Sequence, residues 1–137
     1  MRVVIDTNDY ISALIGKKHR EKIETIILNT KIEILADSVL FQEIEDVARR
    51  DKFKKYVTKR QIDNFISLLR KRLTPIITKS VINVSKDPDD NFLLALAFDG
   101  QADFLITGDK SHLLSLRYFN GIPIIRLDVF IILHNYK

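Results

Sequence analysis

Acidic side chains recur just after apolar stretches of this sequence, where they could hold a divalent cation. Asp6 follows the first apolar run and Asp109 follows a later one. Glu43 lies early in a predicted helix, and Asp90 lies at the start of another. Each acid alone could be a helix cap, but converging carboxylates would repel one another unless a cation neutralised them. With no Cys and no His at ligand spacing, oxygen ligands favour Mg²⁺ or Mn²⁺, as one or two ions.

Apolar strands that alternate with helices are expected to position these acids. Strands are predicted over 2–5, 32–35, 103–107 and from Pro123 onward, with residues 80–84 as an extended approach to the core. Strands that are apolar throughout indicate a mainly parallel sheet covered on both faces, an α/β fold. Ligands of such a sheet bind beyond the carboxyl ends of the strands, where the predicted acids lie.

Helices are expected between these strands, with recognisable start and stop signals. They are predicted over 8–15, 19–29 and about 39–50, then from a capping box at Thr58–Gln61, from Asp89 and Asp90 to near Gly100, from Gly108 to about 116, and after a cap at Asp128. Asp37 and Ser38 are the candidate caps of the helix that carries Glu43.

Length and composition indicate a single domain, 1–137, of ordinary globular character. The chain has 137 residues, of which 46% are hydrophobic and 29% charged. No apolar run approaches the length of a membrane-spanning helix, and the first residues do not resemble a signal peptide. The absence of Cys excludes disulfides and thiolate zinc sites, and it favours a reducing, cytoplasmic location.

Positive charge is concentrated in one segment, 49–72. This segment holds ten Lys and Arg against two Asp, a balance of +8 in a chain whose total is +4. It could bind a polyanion such as RNA, or it could be no more than the solvated face of a helix pair. The candidate RNA-binding residues are Arg49, Arg50, Lys52, Lys54, Lys55, Arg70, Lys71 and Arg72.

Acids that hold metal beside a basic segment favour a nuclease. Two ions about 4 Å apart can activate a water and stabilise the leaving oxygen of a displacement at phosphorus. The sequence has no GxSxG, GxGxxG or GxxxxGK[ST] motif, so neither a serine hydrolase nor a glycine-loop nucleotide site is supported.

Several of these segments together resemble the PIN domain, and in particular the prokaryotic VapC-type toxins of toxin–antitoxin pairs. They are VVIDTNDYISALI, the glutamate of FQEIEDVARRDKF, DPDDNFLLALA, QADFLITGDKSHLL and the terminal Ile-Pro-Ile-Ile-Arg strand. The resemblance covers nearly the whole chain in order and spacing. It implies a three-layer α/β/α fold with a central, mainly parallel sheet, Mg²⁺- or Mn²⁺-dependent endonucleolytic cleavage of RNA, a cognate antitoxin partner and a homodimer.

The resemblance also assigns roles to individual residues. The catalytic and metal-binding acids that it implies are Asp6, Glu43, Asp90 and Asp109. Asn8 and Thr107 match flanking polar residues expected to orient carboxylates or water. Asp87 is an outer candidate, and Asp89 is expected to cap the helix and point away.

Asp9, the acids near Glu43 and the class of protein each allow an alternative interpretation. Asp9 stands where the family usually has a branched apolar residue, so it is expected to face solvent or a cavity mouth. Glu45 and Asp46 are alternatives to Glu43, although Glu43 lies nearer the expected core face. A phosphatase of the haloacid dehalogenase type is disfavoured by Asn8, because that class needs a second Asp there; the stronger alternative is a catalytically inactive PIN-like module that binds RNA or protein.

Overall fold

A mixed α/β fold surrounds a central, mostly parallel sheet in the computed structural model, which describes residues 1–108 and 111–134. The strands are β1 (Arg2–Ile5), β2 (Glu33–Ala36), β3 (Leu73–Pro75), β4 (Phe104–Ile106), β5 (Tyr118–Phe119) and β6 (Ile122–Ile125). The helices are α1 (Thr7–Ile15), α2 (Lys17–Leu28), α3 (Ser38–Ala48), α4 (Lys59–Arg72), α5 (Pro88–Asp99), α6 (Ser111–Leu116) and α7 (Leu127–His134), with a 3-10 turn at Asp51–Phe53. The α/β fold predicted from the sequence is confirmed.

The strand order places a crevice between β1 and β4. The order across the sheet is β3-β2-β1-β4-β6-β5, and every neighbouring pair is parallel except β5 and β6. The chain builds outward from β1 on one side through β2 and β3, and then on the other through β4 and β6. The direction of winding therefore reverses between β1 and β4, and ligands of parallel sheets bind at the carboxyl ends of such a pair.

The central position of β1 follows from its residues. Val3, Val4 and Ile5 are fully buried, as expected for a strand covered on both faces. Val4 lies opposite Leu35 of β2 and Leu105 of β4, so the sheet is apolar on both sides of β1. The next residue, Asp6, leaves the sheet at its carboxyl edge.

Most of the helix signals are confirmed, and two details differ. Asp37 caps α3 by accepting from the backbone N–H of Leu40, and Thr58 and Gln61 form a capping box at α4. The cap of α5 is Asp87 rather than Asp89 or Asp90, because Pro88 occupies its first turn. Asp128 lies inside α7 and accepts from the backbone N–H of Val129, so it does not precede that helix.

The third strand on the β2 side is β3, and the predicted extended segment 80–84 forms no strand. β3 follows α4 without a turn residue, so no punctuation in the sequence marks it. The segment after β3 is instead anchored by Asp99, the last residue of α5. Its carboxylate accepts from the backbone N–H groups of Lys79 (2.6 Å) and Ser80 (2.8 Å) and from the Ser80 hydroxyl (2.5 Å).

This anchor makes a prediction about stability and pH. The Ser80 hydroxyl, together with the backbone amides, holds the pKa of the Asp99 carboxyl below its usual range. We expect Asp99→Asn to lower the free energy of unfolding by about 1 kcal/mol at pH 7. Because the folded pKa lies below the unfolded one, this stabilisation is present above about pH 4 and is lost as the pH falls. Urea denaturation at pH 7 and pH 3 measures the difference.

The control is Asp51→Asn, since the Asp51 side chain is 90% exposed and only pairs with Lys54. This variant should match the unsubstituted chain at both pH values. A deficit of Asp99→Asn that is equally large at pH 3 and pH 7 would contradict the anchor as an ionised carboxylate.

None of the helices within the described ranges is long and apolar enough to cross a membrane.

Candidate active site

The carboxylate of Asp6 lies at the crevice between β1 and β4. Asp6 is 2% exposed, and its Oδ2 accepts from the hydroxyl of Thr107, the residue that follows β4, at 2.9 Å. The backbone N–H of Asp6 also donates to Ile106 O at 2.9 Å. Although Asp6 occupies the cap position of α1, its side chain makes no capping hydrogen bond. The interpretation of Asp6 as a mere helix cap is therefore excluded.

Glu43 reaches this region from α3 through a contact with α1. The hydroxyl of Thr7, which is buried directly after Asp6, donates to Glu43 Oε1 at 2.5 Å. Neither alternative acid on α3 makes this contact. Glu45 pairs with Arg49 at 3.3 Å, and Asp46 accepts from Gln42 on the same helix. The structure thus brings Glu43 toward Asp6, whereas Glu45 and Asp46 have surface partners.

Asp90 is the most deeply buried of the described acids, at 1% exposure. It lies in the first turn of α5, which packs against β1, β2 and β4. Asp87, and not Asp90, caps α5 by accepting from the backbone N–H of Asp89. The Oδ2 atom of Asp90 instead accepts from the Ser85 hydroxyl at 3.0 Å. Each of the three described acids therefore accepts a hydrogen bond from a Ser or Thr hydroxyl.

These acids are suited in chemistry to a hard cation. Asp109, the fourth predicted ligand, lies outside the described residues. Among the residues that are described, no three Asp, Glu or His side chains form a group that could hold a metal ion. The donors present are all oxygens, oriented by hydroxyls as ligating carboxylates commonly are. Oxygen donors of this kind fit Mg²⁺ or Mn²⁺.

The other predicted supporting residues lie in different positions. Asn8 is exposed, and Asp87 acts as the cap of α5. Asp89 is also exposed, and it lines a pocket of about 110 Å³ together with Glu43 and Phe92. Thr107 does contact an acid, as expected for an orienting residue.

Two hydroxyl residues near the acids were missed by reasoning from the sequence. Thr7 holds Glu43, and Ser85 holds Asp90. Both lie within five residues of a predicted acid, but Ser and Thr are common beside helix starts and carry no distinctive spacing. Ser85 also lines an open cleft of about 560 Å³ with Lys86 and His112.

Asp9 is buried rather than exposed. It is 3% exposed, and its Oδ1 lies 2.9 Å from Nε2 of His19, at the wall of a small notch. The expectation of a solvent-facing Asp9 is wrong, whereas its position at a cavity agrees with the alternative.

Burial, together with the neighbouring Asp9 charge, raises the pKa of the Tyr10 hydroxyl far above its usual range, so Tyr10 stays neutral.

The basic segment is partly committed to structural contacts. Arg72 donates from Nε to Ile27 O at 2.7 Å, and Arg49 donates to Asp63 at 2.8 Å. Lys54 pairs with Asp51, and Arg70 lies over the Phe41 ring and 4.0 Å from Glu45. Among the candidate RNA-binding residues, the exposed cations outside these pairs lie in the turn after α3 and at the end of α4: Arg50, Lys52, Lys55 and Lys71.

Two of these cations lie on aromatic rings. Lys52 Nζ is 5.1 Å from the centroid of the Phe53 ring, and Lys55 Nζ is 5.3 Å from that of Tyr56. The exposed Tyr56 ring offers a surface on which a nucleobase could stack. The turn that follows α3 therefore combines positive charge with an aromatic ring.

Comparison with known proteins identifies the family. A family model described as PIN domain matches residues 2–111. The uncharacterized protein MJ1680 of Methanocaldococcus jannaschii is 35% identical over 125 residues, which cover 85% of this chain and 76% of that protein.

Two solved structures share the fold at low sequence identity. The structure of VapBC2 from Rickettsia felis bound to a DNA fragment from their promoter has a TM-score of 0.57 and 14% identity, covering 90% of this chain and 97% of that chain. The PIN domain endonuclease Utp24 has a TM-score of 0.55 and 18% identity, covering 90% of this chain and 82% of that one. The family match and the shared fold confirm the resemblance read from the residues: the chain belongs to the PIN domain family, whose members are generally nucleases.

Proposed function

We propose that this chain is a metal-dependent endoribonuclease that cleaves RNA phosphodiesters with water. The observation that carries the proposal is Asp6: a buried carboxylate at the β1/β4 crevice that caps no helix and is held by Thr107. Burying a carboxylate is costly, and a buried carboxylate at a ligand-binding crevice is a candidate for a chemical role. Membership of a nuclease family gives that task a reaction class.

Each acid has a role in this proposal. Asp6, Glu43, Asp90 and Asp109 would hold Mg²⁺ or Mn²⁺, and the bound cation would lower the pKa of a water and stabilise the leaving oxygen. Thr107 and Ser85 keep the carboxylates of Asp6 and Asp90 in fixed orientations. Thr7 does the same for Glu43, which approaches from a different helix. The protein therefore contributes ligands whose positions are set before substrate arrives.

RNA would be drawn to the site by cations outside the acidic centre. The exposed Arg50, Lys52, Lys55 and Lys71 can neutralise backbone phosphates, and Tyr56 can stack on a base. Arg72 is an unsuitable residue for testing this binding, because its guanidinium holds backbone carbonyls of the α2–β2 connection.

We also propose that the chain is the toxin of a toxin–antitoxin pair and acts in the cytoplasm. One support is the likeness in fold to VapBC2. The other is the resemblance of the sequence motifs Asp6-Thr7-Asn8 and Thr107-Gly108-Asp109 to those of VapC-type toxins. A small protein encoded next to this chain would be the expected antitoxin. Co-expression should suppress both RNA cleavage and growth arrest if that protein is the partner.

A cleavage assay tests the nuclease proposal directly. Single-stranded RNA labelled at its 5′ end should be cut internally in Mg²⁺ or Mn²⁺, and cleavage should stop in EDTA and return when Mn²⁺ is restored. Attack by water with departure of the 3′ oxygen leaves a 5′-phosphate and a 3′-hydroxyl. Contaminating ribonucleases that use the 2′-hydroxyl leave a cyclic phosphate instead, so the product ends identify the source of the activity.

The alternative is a PIN-like module that binds RNA without cutting it. The sequence has acids at all four matched positions, which argues against an inactive module. The three acids that the structure describes each accept a hydrogen bond from a hydroxyl group. Tight binding of RNA with no cleavage in either metal would favour the inactive module and overturn the nuclease.

A further inference from the structure

A small notch beside the acidic centre is lined by residues to which the proposed cleavage chemistry gives no role. Its volume is about 100 Å³, and its walls include Asp9 of α1, His19 and Lys22 of α2, and Arg126 just before α7. The notch thus collects an imidazole, an ammonium and a guanidinium around the buried carboxylate of Asp9, and the half-exposed carboxylate of Asp128, which pairs with Arg126, also lies in its wall.

The carboxylate of Asp9 holds the ring of His19 in place. Asp9 Oδ1 and His19 Nε2 lie 2.9 Å apart, and with the carboxylate as acceptor the ring donates from Nε2. This leaves Nδ1 as the second polar atom of the ring. The side chain of Asp9 is 4% exposed, whereas that of His19 is 34% exposed. His19 therefore covers the acid and presents its own ring at the surface.

The notch adjoins the elements that carry the predicted metal ligands. The backbone N–H of Asp9 donates to the carbonyl oxygen of Asp6 at 3.1 Å, in the first turn of α1. On the other side, a Cβ at Gly108 would lie 3.4 Å from Asp9 Oδ1, so the carboxylate lies directly against this residue. Gly108 immediately precedes Asp109 in the sequence. The notch consequently lies next to the place where the proposed cleavage occurs.

The cations of the notch come from different elements. Arg126 Nη1 donates to Gly108 O at 3.3 Å, and its Nε lies 3.5 Å from Asp128 Oδ1. These contacts hold one part of a guanidinium whose side chain is still 57% exposed. Lys22 lies one turn after His19 on α2 and is half-buried. Held N–H donors with access to solvent are what a phosphate group requires.

We propose that this notch binds a phosphate of the RNA strand, next to the phosphate that is cleaved. Lys22 and Arg126 supply the positive charge, and the ring of His19, held by Asp9, forms part of the wall. The inference rests on the proposed function, because an acidic centre repels an RNA backbone and the strand needs cationic contacts on the flanks of that centre. It assigns to Asp9 a task that the metal site does not need.

Binding measurements with matched variants test the notch. In an Asp6→Asn background that prevents cleavage, fluorescence anisotropy gives the Kd of a fluorescein-labelled ten-nucleotide oligouridylate at several salt concentrations. Lys22→Gln and Arg126→Gln should each raise the Kd by about 3- to 10-fold and reduce the slope of log Kd against log salt by about 0.7.

Lys31→Gln is the matched control for charge. Lys31 is exposed and directly precedes Ile32 and β2, so it lies at the amino edge of the sheet, away from the crevice. It removes the same charge as Lys22→Gln and should leave both the Kd and the salt slope unchanged. Thermal melting of each variant confirms that it is folded. If Lys22→Gln and Arg126→Gln behave like Lys31→Gln, the phosphate site is overturned.

The outcome is separable from that of the nuclease proposal. If the unsubstituted chain does not cut RNA but the notch variants weaken binding, the nuclease fails and the phosphate site stands. If the chain cuts RNA in Mg²⁺ and the notch variants bind like the control, the nuclease stands and the notch is overturned.

Discussion

Replacing Asp6 with Asn should abolish RNA cleavage while leaving the fold intact. Asn has nearly the same shape and keeps an oxygen that can accept from Thr107, but it removes the negative charge from the β1/β4 crevice. We expect kcat to fall by about 10³-fold, which corresponds to about 4 kcal/mol of lost transition-state stabilisation. The measurement is the initial rate of cleavage of a labelled RNA in saturating Mn²⁺.

A matched variant separates this effect from a general loss of charge. Asp46→Asn makes the same change on the exposed surface of α3, where Asp46 accepts from Gln42. It should cleave RNA at the unsubstituted rate. Cleavage by Asp6→Asn at more than a tenth of that rate would mean that the proposed centre does not carry the reaction.

The sequence predicts acids at one edge of the sheet because the carboxyl ends of parallel strands meet there. Asp6 directly follows a strand that is apolar throughout, and in a sheet covered on both faces that position is the ligand edge. Glu43 follows from the same rule, since the apolar period of α3 leaves it beside the buried face. Periodicity and strand ends are local properties, and a single sequence contains them.

Contacts between residues that are distant in the sequence cannot be predicted from these local properties. The burial of Asp9 depends on His19, which belongs to another helix, and neither residue alone indicates the pair. β3 is a strand only because it lies beside β2; its three residues have no pattern of their own. The cap of α5, in contrast, can be predicted from the sequence, because Pro88 in the first turn favours Asp87 as the preceding cap.

The same difference between local patterns and long-range contacts explains why the sequence favoured Asn8, and not Thr7, as a residue that orients an acid. Asn8 was expected to orient the acids from its place in the motif, yet it is exposed, while its neighbour Thr7 is buried and donates to Glu43. One step along a helix rotates a side chain by about 100°, so adjacent polar residues cannot both face the same acid. Only the packing of α3 against α1 determines which of the two meets Glu43.

Replacing Thr7 with Val should therefore slow cleavage more than any change at Asn8. Val matches the shape of Thr but cannot donate, so Glu43 loses the hydroxyl that holds its Oε1. Loss of a group that orients a metal ligand typically costs about 10- to 100-fold in activity or metal affinity. Titration of cleavage with Mn²⁺ should show a higher half-saturation concentration for Thr7→Val than for the unsubstituted chain. Asn8→Ala should leave the half-saturation concentration unchanged.

Two further variants establish whether Thr7 acts through Glu43. Thr7→Ser restores the hydroxyl and should recover most of the rate, which a purely steric role for the Thr methyl would not allow. In a Glu43→Gln background, the additional Thr7→Val change should have little further effect, because residues that act through one contact are not additive. Full additivity of the two losses would show that Thr7 and Glu43 act independently, and Glu43 would then need another residue to hold it at the crevice.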